Sequence, residues 1–232
     1  MKILSVDTST SRLCIGIAEQ DREYLYEIEI GRRLSEVLIP TIQRITKSIR
    51  LNLKDFDYFC CGRGPGSFTG VRIGMATLKG FSWALKKPLV GVVSLDILAN
   101  NANNKARFSV PLIDARRNLL YTAIYKNISG LWKRIGPYLL ISQDDLVKNI
   151  HKTIEKKFFG DIAFFGDGLI FAKDLLQREF PEAQFLDKDY WFMSSYALLK
   201  ESRQAILGKR IGNTFTVLPL YLYPKECQVR IK

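Results

Sequence analysis

The sequence predicts a duplicated α/β fold: two mixed β-sheet subdomains, each flanked by helices. Three observations predict it. Apolar residues recur with a period of two in some stretches and near 3.6 in others, and the two kinds alternate along the chain. Strand–helix–strand order recurs, which implies parallel neighbours within a sheet. Landmark residues of the first half return in the second at nearly the same separation. A chain of 232 residues that is 47% hydrophobic and 12% aromatic can bury cores of this size, and disorder is not expected.

The elements follow in order. KILSVD (2–7) reads as a buried strand ending in Asp7. Thr8 to Ser11 turn, and LCIGIA (13–18) returns as a second strand. EYLYEIEI (23–30) alternates as a half-buried third strand should. Leu34, Val37, Leu38, Ile42, Ile45 and Ile49 then fall at helical spacing, with Pro40 inside the pattern. Proline there should kink the helix or break its first turn. DYFCCG (57–62) and PLVGVV (88–93) are strands four and five, joined by a glycine-rich stretch and a helix running to Lys86.

The second half begins again in the same way. FSVPLIDA (108–115) is a strand ending near Asp114, Arg116 to Asn118 turn, and LLYTAIY (119–125) returns. LWKRIGPYLLIS (131–142) carries a third strand, and QDDLVKNIHKTI is a helix capped by Ser142. DIAFFG (161–166) is a further strand. Asp7 matches Asp114, and Asp57-x-x-x-x-Gly62 matches Asp161-x-x-x-x-Gly166; the separations are 62 − 7 = 55 and 166 − 114 = 52 residues. Two such units describe the actin-like architecture shared by actin, Hsp70 and sugar kinases. Expected bounds are 1–105 for the first subdomain, 106–218 for the second and 219–232 for an extended tail. The helix SSYALLKESRQAI (194–206), with an apolar face of Tyr196, Leu198, Leu199 and Ile206, falls in the second. Pro219 and Pro224 argue against helix in the tail.

Composition narrows the chemistry. Lys and Arg number 35 against 23 Asp and Glu, a net charge of +12. The excess reads either as a solvated basic surface or as the footprint of an anionic partner such as tRNA or a nucleotide. The basic residues are scattered along the sequence, except for the tail Lys225–Lys232, a candidate RNA contact or a frayed terminus. Cys14, Cys60, Cys61 and Cys227 form no C-x-x-C and read as buried thiols of a reducing compartment. No signal peptide or membrane span is visible, so a soluble, cytoplasmic protein is expected. His151 is the single histidine, on a helix where exposure is expected; a His-x-x-x-His metal site cannot be built.

Three places offer chemistry. Asp7, Thr8, Ser9 and Thr10 could hold a hydrated metal and a phosphate, or simply close an Asx-type turn. Gly166-Asp167-Gly168 permits close backbone approach or a tight turn. The third is GRGPGSFTGVRIG (62–74), with five of the chain's 16 glycines. It is neither a Walker A loop nor a dinucleotide fingerprint, because Gly70 is followed by Val71-Arg72 and Gly62-x-Gly64 by Ser67. Gly64-Pro65-Gly66 makes a rigid turn, and Ser67 or Thr69 can cap the following helix. Gly66, Gly70 and Gly74 are four apart, as are Ala76, Gly80 and Ala84. Each interior helix glycine costs about 1 kcal/mol against alanine. Close approach by the protein's own elements, by a second subunit or by a phosphate would offset that cost, and all three readings stay open here.

The motifs IxxVDTST, GRGPGSFTGVRIG, VSLDIL (93–98) and IDARRNLLYTAIY (113–125) together resemble the TsaB (YeaZ) family. The similarity is strong to about residue 125 and weaker to Gly166-Asp167-Gly168 and the tail. The resemblance implies the duplicated actin-like fold and a role in threonylcarbamoyladenosine (t6A) synthesis on A37 of ANN-decoding tRNAs. It implies a non-catalytic subunit without catalytic or metal-binding residues, which binds and activates the catalytic TsaD through its first helices. TsaE joins as an ATPase, homodimers form when the chain is alone, and tRNA is met mainly within the complex. No cofactor is expected of this chain; ATP and a metal belong to the partners. The interface would comprise Leu34, Val37, Leu38, Ser67, Phe68, Thr69, Gly70, Val71, Arg72, Gly74, Thr77 and Leu78. Asp7, Thr8, Ser9, Gly166, Asp167 and Gly168 would be vestigial nucleotide loops. Leu34 departs from the histidine frequent in the family. A bulky residue at Gly70 or Gly74 is expected to detach the partner while leaving the fold intact. An ATP-binding enzyme of the same fold is the alternative; a peptidase fits worst, for want of a ligand pair around His151.

Overall fold

A computed structural model of the chain describes residues 1–102 and 106–223; Cys227 and the basic stretch 225–232 lie outside the described residues. The chain divides into two compact units, residues 1–97 with 193–220 and residues 98–192 with 221–232.

In the first unit, β1 (Lys2–Asp7), β2 (Arg12–Glu19) and β3 (Arg22–Glu29) form an antiparallel meander. The helix α1 (Leu34–Ser48) leads to β4 (Tyr58–Gly62), and α2 (Phe68–Leu85) leads to β5 (Leu89–Val92). Strands β4 and β5 pair in parallel with β1 and β4 respectively, and the sheet order is β3-β2-β1-β4-β5. Burial explains the strand sequences: β1, β2 and β4 are covered and read as apolar runs, whereas β3 at the edge alternates. Leu4, Val6, Ile15, Ile17, Phe59 and Cys61 pack beneath Leu38, Ile42, Val71, Met75 and Leu78 from the two helices. Pro40 is accommodated inside α1 rather than breaking it, and stands at an exposed position.

The short helix α3 (Ser94–Ala99) precedes the second unit, which repeats the plan. Its strands are β6 (Phe108–Arg116), β7 (Leu119–Thr122), β8 (Tyr125–Ile128), β9 (Leu131–Arg134), β10 (Leu139–Ser142), β11 (Ile162–Phe165) and β12 (Gln184–Phe185). The order β10-β7-β6-β11-β12 matches that of the first sheet strand for strand, with α4 (Gln143–Thr153) and α5 (Leu169–Glu179) in the places of α1 and α2. The duplicated actin-like fold is therefore explicit in the pairing. Two expected strands are each split. LLYTAIY supplies β7 and β8, and LWKRIGPYLLIS supplies β9 and β10, because β8 and β9 pair with each other as an added hairpin on β6. Ser142 caps α4, accepting from the Asp145 N–H at 3.2 Å. Exposed His151 lies against Phe159 and Phe180.

The bounds differ from those expected. Helix α6 (Ser195–Leu207) belongs to the first unit, not the second. Gly16 of β2 leaves room for it: a Cβ there would lie 2.6 Å from Leu199 Cγ. Ser195 donates its N–H and hydroxyl to Glu27 (2.6 and 2.9 Å), Arg203 pairs with Glu23, and the Ser5 hydroxyl meets that of Ser202 at 3.0 Å. Leu198, Leu199 and Ile206 are buried as the apolar pattern implies, but Tyr196 is 57% exposed.

Candidate functional site

The glycine-rich stretch lies entirely within the first unit. Gly64 (φ +84°) and Gly66 (φ +154°) take backbone conformations that side chains disfavour, and they deliver Ser67 as the cap of α2. Ser67 Oγ accepts from the Gly70 N–H at 3.1 Å. The β1–β2 turn fits against this helix start. The Ser67 N–H donates to the Ser9 carbonyl at 2.6 Å, and the Thr8 hydroxyl donates to the Gly70 carbonyl at 2.8 Å. A Cβ on Gly66 would overlap the Ser9 carbonyl, one on Gly70 the Thr8 carbonyl, and one on Gly74 the Thr8 hydroxyl.

The i, i+4, i+8 glycine row is thus a socket for the chain's own turn. Of the three readings the sequence leaves open, internal packing holds for Gly66, Gly70 and Gly74. Expected interface residues Gly70, Val71, Gly74, Leu78 and Leu38 are correspondingly buried in the unit's own core. Leu34 packs partly on that core, and Val37 and Thr77 are half-buried. Ser67, Phe68, Thr69 and Arg72 are exposed.

The opposite side of α2 is open. Phe68, Arg72, Ala76, Gly80 and Trp83 follow one another at steps of three or four and are exposed, Trp83 to 73%. The Arg72 guanidinium lies over the Phe68 ring at 3.6 Å. Nothing stands within 4 Å of where a Gly80 Cβ would be. Ile39 on α1 adds an exposed apolar side chain. Sequence reasoning missed Trp83 and Ile39, although extending the Ala76–Gly80 register by three reaches Trp83.

The two expected nucleotide loops serve internal roles. Asp7 is fully buried, and its carboxylate accepts from the Ser9 N–H (2.8 Å), the Ser9 hydroxyl (2.7 Å) and the Ser94 hydroxyl (2.7 Å). A Cβ on Gly62 would overlap that carboxylate. Burial raises the Asp7 pKa, partly offset by the bonds from Ser9 and Ser94. In the second unit, Gly166 (φ +111°) and Gly168 press on Leu112 and Leu120 of the sheet. Asp167 Oδ1 accepts from the Asp114 N–H at 2.9 Å; burial, then the nearby Asp114 carboxylate, raise its pKa. The thiols of Cys60 and Cys61 are pushed up to about 12 by burial. Among the described residues, no three His, Cys, Asp or Glu side chains converge to hold a metal ion, and no helix is long and apolar enough to cross a membrane.

Comparison with known proteins adds relatives to this geometry. Residues 29–211 match the family described as TsaD, tRNA N6-adenosine threonylcarbamoyltransferase. The Bacillus subtilis tRNA threonylcarbamoyladenosine biosynthesis protein TsaB is 32% identical over 140 residues, 59% of this chain and 60% of that protein. The Escherichia coli protein of the same name is 32% identical over 135 residues, 57% of this chain and 58% of that protein. The matched stretch thus spans about three fifths of each relative. The solved structure of YeaZ from Pseudomonas aeruginosa superposes with a TM-score of 0.81 over 95% of this chain and 99% of that one, at 24% identity. That last likeness establishes the fold.

Proposed function

The chain belongs to the TsaD family as a TsaB/YeaZ-type member, and from that premise we propose that it serves t6A synthesis on tRNA as a non-catalytic subunit that binds and activates TsaD. The open side of α2 carries the reading. Phe68, Arg72 and Trp83 present aromatic and cationic groups of the kind enriched at interface centres, and Gly80 lets a partner's backbone come close. The neighbouring α1, with exposed Ile39 and half-buried Leu34 and Val37, would add to this interface, and the same face would serve a homodimer when no partner is present. TsaE joins the assembled pair, and ATP and metal chemistry belong to the partners in this reading.

An ATP-binding enzyme is the weaker reading. The oxygens of Asp7 that would hold a hydrated metal are engaged by Ser9 and Ser94, and the glycines that would cradle phosphate are filled by Thr8 and Ser9.

The test is a Gly80→Arg substitution beside Trp83→Ala. Each is expected to keep the monomer's melting temperature and to weaken capture of a TsaD homologue at least tenfold in a sedimentation or pull-down titration. In a reconstituted mixture with TsaD, TsaE, ATP and tRNA, t6A measured by mass spectrometry should fall accordingly. Undiminished capture by both variants would remove α2 from the interface. Turnover of ATP by the purified chain alone would favour the enzyme.

A further inference from the structure

In the first unit, several basic residues that are far apart in the sequence come to one end of the sheet. A helix that joins parallel strands runs back against them, so α1 ends where β4 begins and α2 ends where β5 begins. Helix α6 ends at the same end of the sheet, because Gly212 just beyond it bridges Leu89 at the start of β5 (N–H to O distances 2.9 and 3.3 Å). Each of these three helices is followed by a cation in the left-handed conformation: Arg50 (φ +60°), Lys86 (φ +53°) and Lys209 (φ +56°). Glycine is the usual occupant there, and an L side chain costs about 1–2 kcal/mol in that conformation.

Lys87 and Arg210 stand next to two of them. Among the described residues no ion pair engages Arg50, Lys86, Lys87, Lys209 or Arg210. The chain has no Asp or Glu from 58 to 95 or from 202 to 225. The carboxylates nearest in the topology, Asp55 and Asp57, accept the backbone N–H groups of Asn52 (2.8 Å) and Lys2 (2.7 Å). Beside the bridge to Leu89, the turn at 213–216 is closed by Asn213, whose Oδ1 accepts from the Phe215 and Thr216 N–H groups (2.8 and 3.0 Å). Phe215 is held there 78% exposed. Cations without acidic partners beside an aromatic ring held in water suit phosphates with an unstacked base between them.

We infer that this end of the first unit, where α1, α2 and α6 terminate, binds the backbone of RNA, with Phe215 stacking on a base. That the RNA is tRNA rests on the function proposed above. Exposed Leu207 and Ile211 nearby make an acidic protein surface the competing occupant.

The experiment is fluorescence anisotropy of a labelled tRNA transcript with the purified full chain between 50 and 200 mM salt, in parallel with capture of a TsaD homologue. The wild type is expected to bind RNA with log K falling linearly in log salt. The variant K86E/K87E/K209E/R210E should bind at least tenfold more weakly and with a slope shallower by about 2 or more. Phe215→Ala should weaken binding about fivefold or more and leave the slope unchanged. Capture of TsaD should be intact in both. The inference is overturned if the wild type binds no RNA at 50 mM salt, if charge reversal leaves binding unaltered, or if charge reversal abolishes TsaD capture and spares RNA. RNA binding by a chain that captures no TsaD would instead remove the scaffold reading and leave this surface standing. If the fourfold reversal does not fold, K86Q/K87Q with Phe215→Ala decides in its place.

Discussion

Gly74 and Gly80 sit six residues apart on one helix, and their surroundings are opposite. Gly74 is pressed on Thr8, whereas Gly80 faces open space. Gly74→Ala is therefore expected to destabilise the protein by about 1–3 kcal/mol through overpacking. Gly80→Ala should be neutral or stabilising by up to about 1 kcal/mol, through helix propensity. Urea unfolding of the two variants checks the pair, and equal losses would contradict the socket. The expectation that Gly70 and Gly74 variants detach a partner and spare the fold is revised accordingly: such variants attack the fold first. Asp7 makes a second prediction at this scale. Burial raises its folded pKa above the ordinary value of 3.8, so the folded state holds a proton that the unfolded state releases. Its contribution to stability is therefore full below that value and is lost as pH rises through the raised one. Asp7→Asn should flatten the decline in stability over this window, by at most about 1.4 kcal/mol per pH unit, in melts collected from pH 3.5 upward. A steeper decline in the variant would reverse the assignment.

At the scale of elements, α2 has two faces with different duties. Gly70, Val71, Gly74, Met75, Leu78 and Ser82 look inward, and Phe68, Arg72, Ala76, Gly80 and Trp83 look out. Its start was legible: a serine ahead of a helical period is a cap, and Ser67 does cap. The inward side was not assignable from spacing, because a small-residue row is equally good for a turn, a partner or a phosphate. Helix α6 carries the same lesson. Its apolar residues were readable, yet nothing in residues 194–206 says which sheet they meet. The answer lies at Gly16, Glu23 and Glu27, more than 160 residues earlier, as the Ser195–Glu27 bonds span 168 positions. A fragment of residues 1–97 lacks α6 and so leaves the face of β1 and β2 that it covers in water. That fragment should give no cooperative thermal transition, and adding a peptide of residues 193–220 should restore one. Cooperative unfolding of 1–97 alone would show that α6 is dispensable to the first unit.

At the scale of the molecule, duplication was legible because it is written in order and spacing. Asp7 and Gly62 end β1 and β4, Asp114 lies two residues before the end of the corresponding β6 and Gly166 just past β11, and both sheets repeat one strand order. The split of LLYTAIY into β7 and β8 was not legible, since an unbroken apolar run cannot say that its two ends, both paired with β6, take different strands on their other side, β10 for β7 and β9 for β8.

By itself, then, the sequence determined the order of most strands and helices, that the fold is built twice, that Ser142 caps α4, and which family the motifs resemble. Only the tertiary structure decided which glycines face inward, where α6 returns, and that cations distant in sequence meet at one end of a sheet. The physical reason is that periodicity reports the character of each side of an element, whereas what lies against that side is set by residues far away in the chain.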